Sequence, residues 1–306
     1  MRKWSQFFKV IVMLSYIEPV FRPPSEARSL ILQVTNGCSW NKCTFCEMYT
    51  QDQKKFRARK EEEIEQDIIK AASSGVPFQK VFLADGDAMV LPMRKLESIL
   101  RMIQKHIPSV TRVSSYCLPR NIYKKSVEDL ALLKTLGLDI LYVGCESGDS
   151  QVLEFVSKGE TYETQRDALI KIKQAGLRSS VMILNGLGGP KYSEQHAINS
   201  AKLMNETQPD YLSTLVVSFP MGEDRLKEGF KQDWSLMDQT TLFLELKHFI
   251  SHLELDNTIF RSDHASNYLP LKGVLGKDKA VMLEQIDTAL YQPDKIRLRQ
   301  EWQRGL

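Results

Sequence analysis

From Ser29 onward, short runs rich in β-branched and aromatic residues alternate with longer amphipathic stretches. The runs are Leu30–Val34, Lys80–Ala84, Thr111–Tyr116, Asp139–Val143, Ser179–Leu184 and Tyr211–Phe219, all of strand length. Between them, apolar positions recur at helical spacing. Ile64, Ile68 and Ala71 stand at i, i+4 and i+7 before Gly75, and Leu96, Leu100 and Ile103 repeat the pattern before Pro108. Leu130, Leu133 and Leu136 precede Gly137, and Ala168, Ile172 and Ala175 precede Gly176. Each glycine or proline falls where the apolar period ends, as a helix stop does. Ser193 is placed to cap the next helix, whose inner face carries Ala197, Ala201 and Met204.

Six strand–helix units with right-handed crossovers predict an α/β fold with a parallel sheet, open or curved into a partial (β/α)6 barrel. Ligands gather at the carboxyl ends of the strands in such sheets. Beyond Pro220 the alternation stops, and residues 221–306 read as mainly helical, with apolar stretches at Thr241–Leu253 and Ala280–Leu290. The predicted organisation is an N-terminal extension over 1–28 packing on the core, a barrel over 29–220, and a helical appendage over 221–306 capping it. The pattern contains no repeat beyond the βα alternation, no low-complexity tract and no flexible interdomain linker.

Composition changes this picture little. The 306 residues are 42% hydrophobic, enough for a sizeable core, and the formal charge of +3 argues neither for nor against nucleic acid. A small molecule or metabolite is the expected substrate. Arg297, Arg299 and Arg304 read as part of a solvated helical tail. The apolar run Phe7–Tyr16 after Arg2 and Lys3 has some character of a signal peptide. Lys9 interrupts it, however, and Glu18, Arg22 and Pro23–Pro24 stand where a cleavage site would be. No run reaches the roughly 18 apolar residues of a membrane span, so a cytoplasmic protein without membrane association is expected.

The cysteines carry the chemistry. Five in a chain this long are too few for a disulfide framework, and three are clustered: Cys38, Cys43 and Cys46. Three thiolates within nine residues of loop, four residues past the first strand, can converge on one metal centre. Cys117 and Cys145 are more than 70 residues away. A structural zinc site normally closes with four protein ligands, and no second paired motif is evident. A four-iron cluster held by three thiolates instead of four keeps one iron open for substrate. A zinc site completed by a remote residue such as His264 is the alternative.

This loop resembles that of the radical S-adenosylmethionine (SAM) superfamily, whose members carry three cysteines after the first barrel strand. The commonest spacing there is CxxxCxxC, with an aromatic before the third cysteine. Phe45 matches the aromatic; the extra residue here gives Cx4Cx2C. The resemblance covers roughly residues 28–220 and implies a partial radical SAM barrel. Ala84–Ala88 (ADGDA) takes the place of the family's glycine-containing turn at the methionine amino group. It implies Gly86 and Asp87 as contacts, Asp87 accepting a charge-assisted hydrogen bond, although an Asp-Gly turn also simply ends strands. Gly144–Gly148 (GCESG) is similar to the GxESG signature of subfamilies resembling Elongator-type and cobalamin-linked members, and implies that Glu146 reaches the SAM ribose or ammonium. Lys158 stands at the offset of a basic residue that pairs with the SAM carboxylate in oxygen-independent coproporphyrinogen oxidases; a surface lysine is the other reading. Asn185 and Gly186 open a glycine-rich turn placed for the adenine. Ser114, Ser115 and Tyr116 end the third strand, and Ser115 is taken as the pocket-lining member. Cys117 and Cys145 read as buried, inert thiols, and His264 as either a substrate contact or a brace for a turn.

The cofactors so implied are a [4Fe-4S] cluster and SAM, with an external electron donor of flavodoxin or ferredoxin type. The implied chemistry is reductive cleavage of SAM to a 5′-deoxyadenosyl radical that abstracts hydrogen from substrate. The absence of further cysteine clusters weighs against sulfur insertion, and the roughly 28 upstream residues against a preceding cobalamin domain. Two other readings stand beside this one: a non-catalytic iron–sulfur or zinc protein used for sensing or scaffolding, and a tRNA-modifying enzyme. The residues do not specify the substrate, the net reaction, the fate of SAM or the oligomeric state.

Overall fold

All six predicted runs are strands, and two more follow them. A computed structural model describes residues 14–305; the signal-like start of the chain and the first part of the extension, 1–13, lie outside the described residues. The strands are β1 Leu30–Gln33, β2 Thr35–Asn36, β3 Arg57–Ala58, β4 Lys80–Ala84, β5 Arg112–Cys117, β6 Leu138–Glu146, β7 Arg178–Asn185, β8 Tyr211–Val216, β9 Ile259–Ser262 and β10 Leu271–Val274. Eight of them form one sheet in the order β1-β4-β5-β6-β7-β8-β9-β10, and β2 and β3 form a separate ribbon. The β1/β4, β4/β5, β7/β8 and β8/β9 pairs are parallel, while β9/β10 is antiparallel.

The helices are α1 Glu61–Ser73, α2 Met93–His106, α3 Pro119–Tyr123, α4 Val127–Thr135, α5 Ser150–Phe155, α6 Tyr162–Gln174, α7 Gly189–Thr207, α8 Asp224–Gly229, α9 Gln239–Ser251 and α10 Lys279–Tyr291. No helix among the described residues is long and apolar enough to cross a membrane. The chain divides into two compact units. The first holds 14–41, 48–142 and 171–177; the second holds 42–47, 143–170 and 178–305.

In the first unit, the predicted stripes are the buried ones: Ile64, Ile68 and Ala71 of α1, and Leu96, Leu100 and Ile103 of α2. Each isoleucine or leucine among them contributes about 1.5–3 kcal/mol by burial. Strand register sets Ile31, Phe82 and Ser114 side by side on one face, and Leu32, Leu83 and Ser115 on the other. Phe82 packs edge-on against Tyr116 and Tyr142 at 5.0 and 6.0 Å between centroids. The described part of the extension packs on β1: the Tyr16 hydroxyl donates to Ile31 O at 2.6 Å, and Ile17 N–H to Gln33 Oε1 at 2.9 Å.

In the second unit, α7 buries the predicted Ala197, Ala201 and Met204 but begins at Gly189, with Pro190 in its first turn. Ser193 therefore lies inside the helix and does not cap it. Proline needs no amide partner at a helix start, so the chain enters the helix five residues earlier than a Ser193 cap would place it. The appendage is mainly helical, and β9 and β10 extend the sheet within it. These strands have four residues each and carry Arg261, Lys272 and Gly273, too short and too mixed for an alternation to show. The tail is not helical beyond a 3-10 turn at Glu301–Gln303. Arg297 is exposed, as expected, but the other two arginines find carbonyls: Arg299 Nη1 donates to Asn267 O at 2.9 Å, and Arg304 Nε to Ser266 O at 2.8 Å.

Candidate cofactor-binding site

The cysteine loop leaves β1 through the β2–β3 ribbon, whose register pairs Thr35 with Ala58 and Asn36 with Arg57. Gly37 follows at φ +70°, where an added Cβ would lie 2.0 Å from Lys54 O, so only glycine makes this turn. Cys38 comes next. The residue after it, Ser39, donates its N–H to Asp87 Oδ1 at 2.9 Å and its hydroxyl to Oδ2. Asn121 Nδ2 approaches the same carboxylate at 3.5 Å. Asp87 is fully buried, and burial pushes its carboxyl above the usual range against the pull of these donors. A Cβ on Gly86 would stand 2.9 Å from both Cys38 Cβ and Gly37 O. Gly86 and Asp87 thus form the seat and the fastening of the Cys38 end of the loop.

Next to them, Asp85 is ion-paired with Lys54, both side chains fully buried. Lys54 Nζ also donates to Ile17 O at 2.9 Å, and Gln33 Nε2 to Asp85 at 3.3 Å. The Arg120 guanidinium stacks 3.7 Å from the centroid of the Trp40 ring. Ser115 shares the face of Leu83, and its hydroxyl donates to Tyr116 O at 2.8 Å.

The other two cysteines belong to the second unit. Cys46 N–H donates to Cys43 O at 3.3 Å to close a turn, and Thr44 N–H donates to Val156 O at 3.0 Å. Phe45 packs against the cluster of Val152, Val156, Leu187, Leu226, Phe230 and Trp234. Arg225, on α8, donates Nη2 to Cys43 O at 3.1 Å and Nη1 to Cys46 O at 3.2 Å.

The GCESG segment ends β6. Glu146 adopts φ +66°, and its Oε1 accepts from Lys158 Nζ at 3.0 Å. A Cβ at position 144 would lie 2.2 Å from that Oε1, and one at position 148 would lie 2.3 Å from Asn199 O. One glycine therefore makes room for the carboxylate and the other for the close approach of α7. Ser147 Oγ lies 2.7 Å from His196 Nδ1. Lys158 is buried, not the surface residue of the alternative reading. Burial alone would lower its pKa, but the Glu146 carboxylate and the nearby Cys43 and Cys145 sulfurs outweigh this and hold the ammonium above its ordinary value. Its Nζ is 5.8 Å from the Phe45 ring centroid.

Asn185 ends β7 and donates Nδ2 to Leu242 O at 3.2 Å. Gly186 has φ +88° and donates its N–H to Glu245 Oε1 at 2.6 Å. Glu245 Oε2 accepts from the Ser193 hydroxyl at 2.7 Å. His196 Nε2 lies 3.1 Å from Leu184 O, and a carbonyl only accepts, so Nε2 carries a proton. A small cavity here is lined by Ile183, Asn185, His196, Thr214 and Glu245.

Burial pushes the Glu245 carboxyl above its ordinary value. A group raised in this way gives stability that is present below its unfolded pKa and lost as pH rises through its folded one. Glu245→Gln fixes the neutral form and still presents an oxygen to Gly186. Its thermal midpoint relative to the unsubstituted protein is expected to rise as pH is raised from acidic to mildly alkaline. A difference that stays constant across that range would contradict the assignment.

The structure brings Gly86 and Asp87 to Cys38, and joins Glu146 to Lys158. It ties Asn185 and Gly186 to α9 and sets Ser115 beside Leu83 in the sheet. Cys117 and Cys145 are buried. His264 braces a turn, its Nδ1 accepting from Ser266 N–H at 3.1 Å, and burial with the adjacent Arg299 holds its pKa down. Ser39, Asn121, Arg225 and Glu245 escape sequence reasoning. Only Glu245 leaves a trace, as a lone carboxylate in the apolar run Leu242–Ile250.

An uncharacterized methyltransferase of Pyrococcus horikoshii is 25% identical over 256 residues, covering 81% of this chain and 53% of its own. Coproporphyrinogen III oxidase from Escherichia coli, a radical SAM enzyme, superposes with a TM-score of 0.56 at 17% identity, covering 74% of this chain and 53% of its own. The radical SAM methyltransferase TsrM from Kitasatospora setae, with cobalamin and a [4Fe-4S] cluster bound, gives 0.51 at 17% identity over 69% of this chain and 43% of its own. The chain thus spans about half the length of the Pyrococcus relative. The sequence profile of the radical SAM superfamily matches residues 32–204, more than half of the chain, which therefore belongs to the radical SAM superfamily of enzymes.

Proposed function

We propose that Cys38, Cys43 and Cys46 ligate a [4Fe-4S] cluster, and that SAM binds it through Gly86, Asp87, Glu146, Lys158, Asn185 and Gly186. The observation that carries this reading is that each end of the cysteine loop has groups devoted to it. Asp87 and Gly86 hold the Cys38 end, and Arg225 and Val156 O hold the Cys43–Cys46 turn. Among the described residues, no three His, Cys, Asp or Glu side chains gather closely enough for a single metal ion. A four-iron cluster asks for no such gathering, because its three thiolates bind three different irons.

The bound cluster and SAM together supply one-electron cleavage of the sulfonium, delivering a 5′-deoxyadenosyl radical for hydrogen abstraction. The chain's own part is recognition and enclosure. SAM ends in an amino acid that carries one positive and one negative group. The buried Glu146–Lys158 pair offers one carboxylate and one ammonium, a charge complement for that zwitterion. Lys158 would hold the carboxylate, while Glu146 takes the ammonium or the ribose hydroxyls. Gly186, left-handed at the end of β7, is the backbone contact proposed for the adenine. Asp87 already fastens Ser39, and a carboxylate has further lone pairs for the methionine ammonium.

The reductant is a flavodoxin- or ferredoxin-type donor, and the substrate is a small molecule or metabolite. Methyl transfer is the net reaction to assay first, since the Pyrococcus relative is a methyltransferase. Anaerobic reconstitution should give about four iron and four sulfide per chain, as a four-iron cluster requires. Zinc without iron in protein purified free of oxygen would overturn the proposal.

A further inference from the structure

The segment after β8 does more at the cysteine turn than close the sheet. Met221 N–H donates to Glu47 Oε1 at 3.2 Å, just past Cys46. Leu226 and Phe230 of the same segment pack in the cluster that receives Phe45. A Cβ at Gly229 would lie 2.0 Å from Phe155 O, so α8 sits tightly against the end of α5. Between these anchors, Arg225 spends both terminal nitrogens on the carbonyls of Cys43 and Cys46.

A guanidinium is a rigid planar fork, suited to holding two acceptors at a fixed separation. Fixing both carbonyls fixes the peptide planes at each end of the turn, and with them the Cα–Cβ bonds that carry the two thiols. The group also remains charged at every working pH. Reducing an iron–sulfur cluster adds negative charge, and a permanent positive charge beside its ligands favours that state. Lys158 is a buried cation near the turn, but its ammonium is paired with Glu146; Arg225 donates to two backbone carbonyls of the turn.

We infer that Arg225 is a positioning residue for the Cys43–Cys46 turn and raises the reduction potential of the cluster bound there. The inference rests on the cluster assignment above. It concerns a residue outside the segment matched by the family profile.

The test compares unsubstituted protein, Arg225→Lys and Arg225→Met after anaerobic reconstitution. The readouts are iron and sulfide content, the half-time of iron loss to a chelator, and a redox titration followed by electron paramagnetic resonance without SAM. Circular dichroism controls for folding. At the midpoint of the unsubstituted protein, the reduced fraction in Arg225→Met is expected to be about threefold lower, the scale of a solvent-screened charge. Arg225→Lys returns the charge but not the fork, so it should recover the potential while losing iron several-fold faster than the unsubstituted protein. If Arg225→Met takes up no iron, the neutral Arg225→Gln carries the potential comparison. An unchanged potential in the neutral variants, or chelator resistance equal to the unsubstituted protein in both Arg225→Met and Arg225→Lys, overturns the inference. Failure of the unsubstituted protein to take up iron would instead overturn the cluster assignment itself.

Discussion

Replacing Cys43 by alanine is expected to strip the protein of its iron while leaving its fold in place. The contacts that shape this turn are made by backbone atoms: Cys43 O accepts from Cys46 N–H and from Arg225, and Thr44 N–H donates to Val156 O. Alanine keeps all of them, and the neighbouring Phe45 stays in its apolar cluster. What goes is one of three thiolates, and two cannot hold the three irons that a site-differentiated cluster leaves to the protein. Iron and sulfide should fall from about four each per chain to well below one, with an unchanged circular dichroism spectrum. Cys117→Ala and Cys145→Ala are the controls. Both thiols are buried, and neither variant should lose iron. Full iron retention in Cys43→Ala would remove this cysteine from the ligand set.

The second large effect is on stability and concerns the pair at the end of β6. Lys158 and Glu146 side chains are 4% and 12% exposed, and only 3.0 Å separates Nζ from Oε1. Lys158→Met leaves the Glu146 carboxylate poorly solvated and without its partner, and breaking such a buried pair costs about 3–5 kcal/mol. Adding Glu146→Gln to that variant removes the stranded charge and should recover most of the loss. The double variant would then lie closer to the unsubstituted protein than Lys158→Met does. Chemical denaturation of the apoprotein measures all four species. Equal losses in Lys158→Met and in the double variant would show that the pair contributes packing alone.

Much of this architecture is legible in the chain. The six strands are written as short apolar runs, and the inner faces of α1, α2 and α7 as residues at helical spacing. The three cysteines stand within nine residues, so their proximity needs no tertiary knowledge. The harder parts have physical reasons. Ser114 and Ser115 differ by one position, and in a strand one position is the difference between two faces. The run TRVSSY has too little contrast between its odd and even residues to show which serine lies where. Asp87 reads from the sequence as a SAM contact, and its fastening of Ser39 depends on a turn that the sequence does not specify. Arg225 lies 182 residues from Cys43 and carries no motif, so only the folded chain brings it there. Arg299 and Arg304 look solvated because their carbonyl acceptors, at 263–267, belong to a turn with no sequence signal.

The proposed activity is reductive cleavage of SAM. The measurement closest to it follows 5′-deoxyadenosine in anaerobically reconstituted protein given SAM and dithionite. The account predicts its release, dependent on reductant and absent in Cys43→Ala. Protein that holds a full four-iron cluster, is reduced, and still forms no 5′-deoxyadenosine would contradict it.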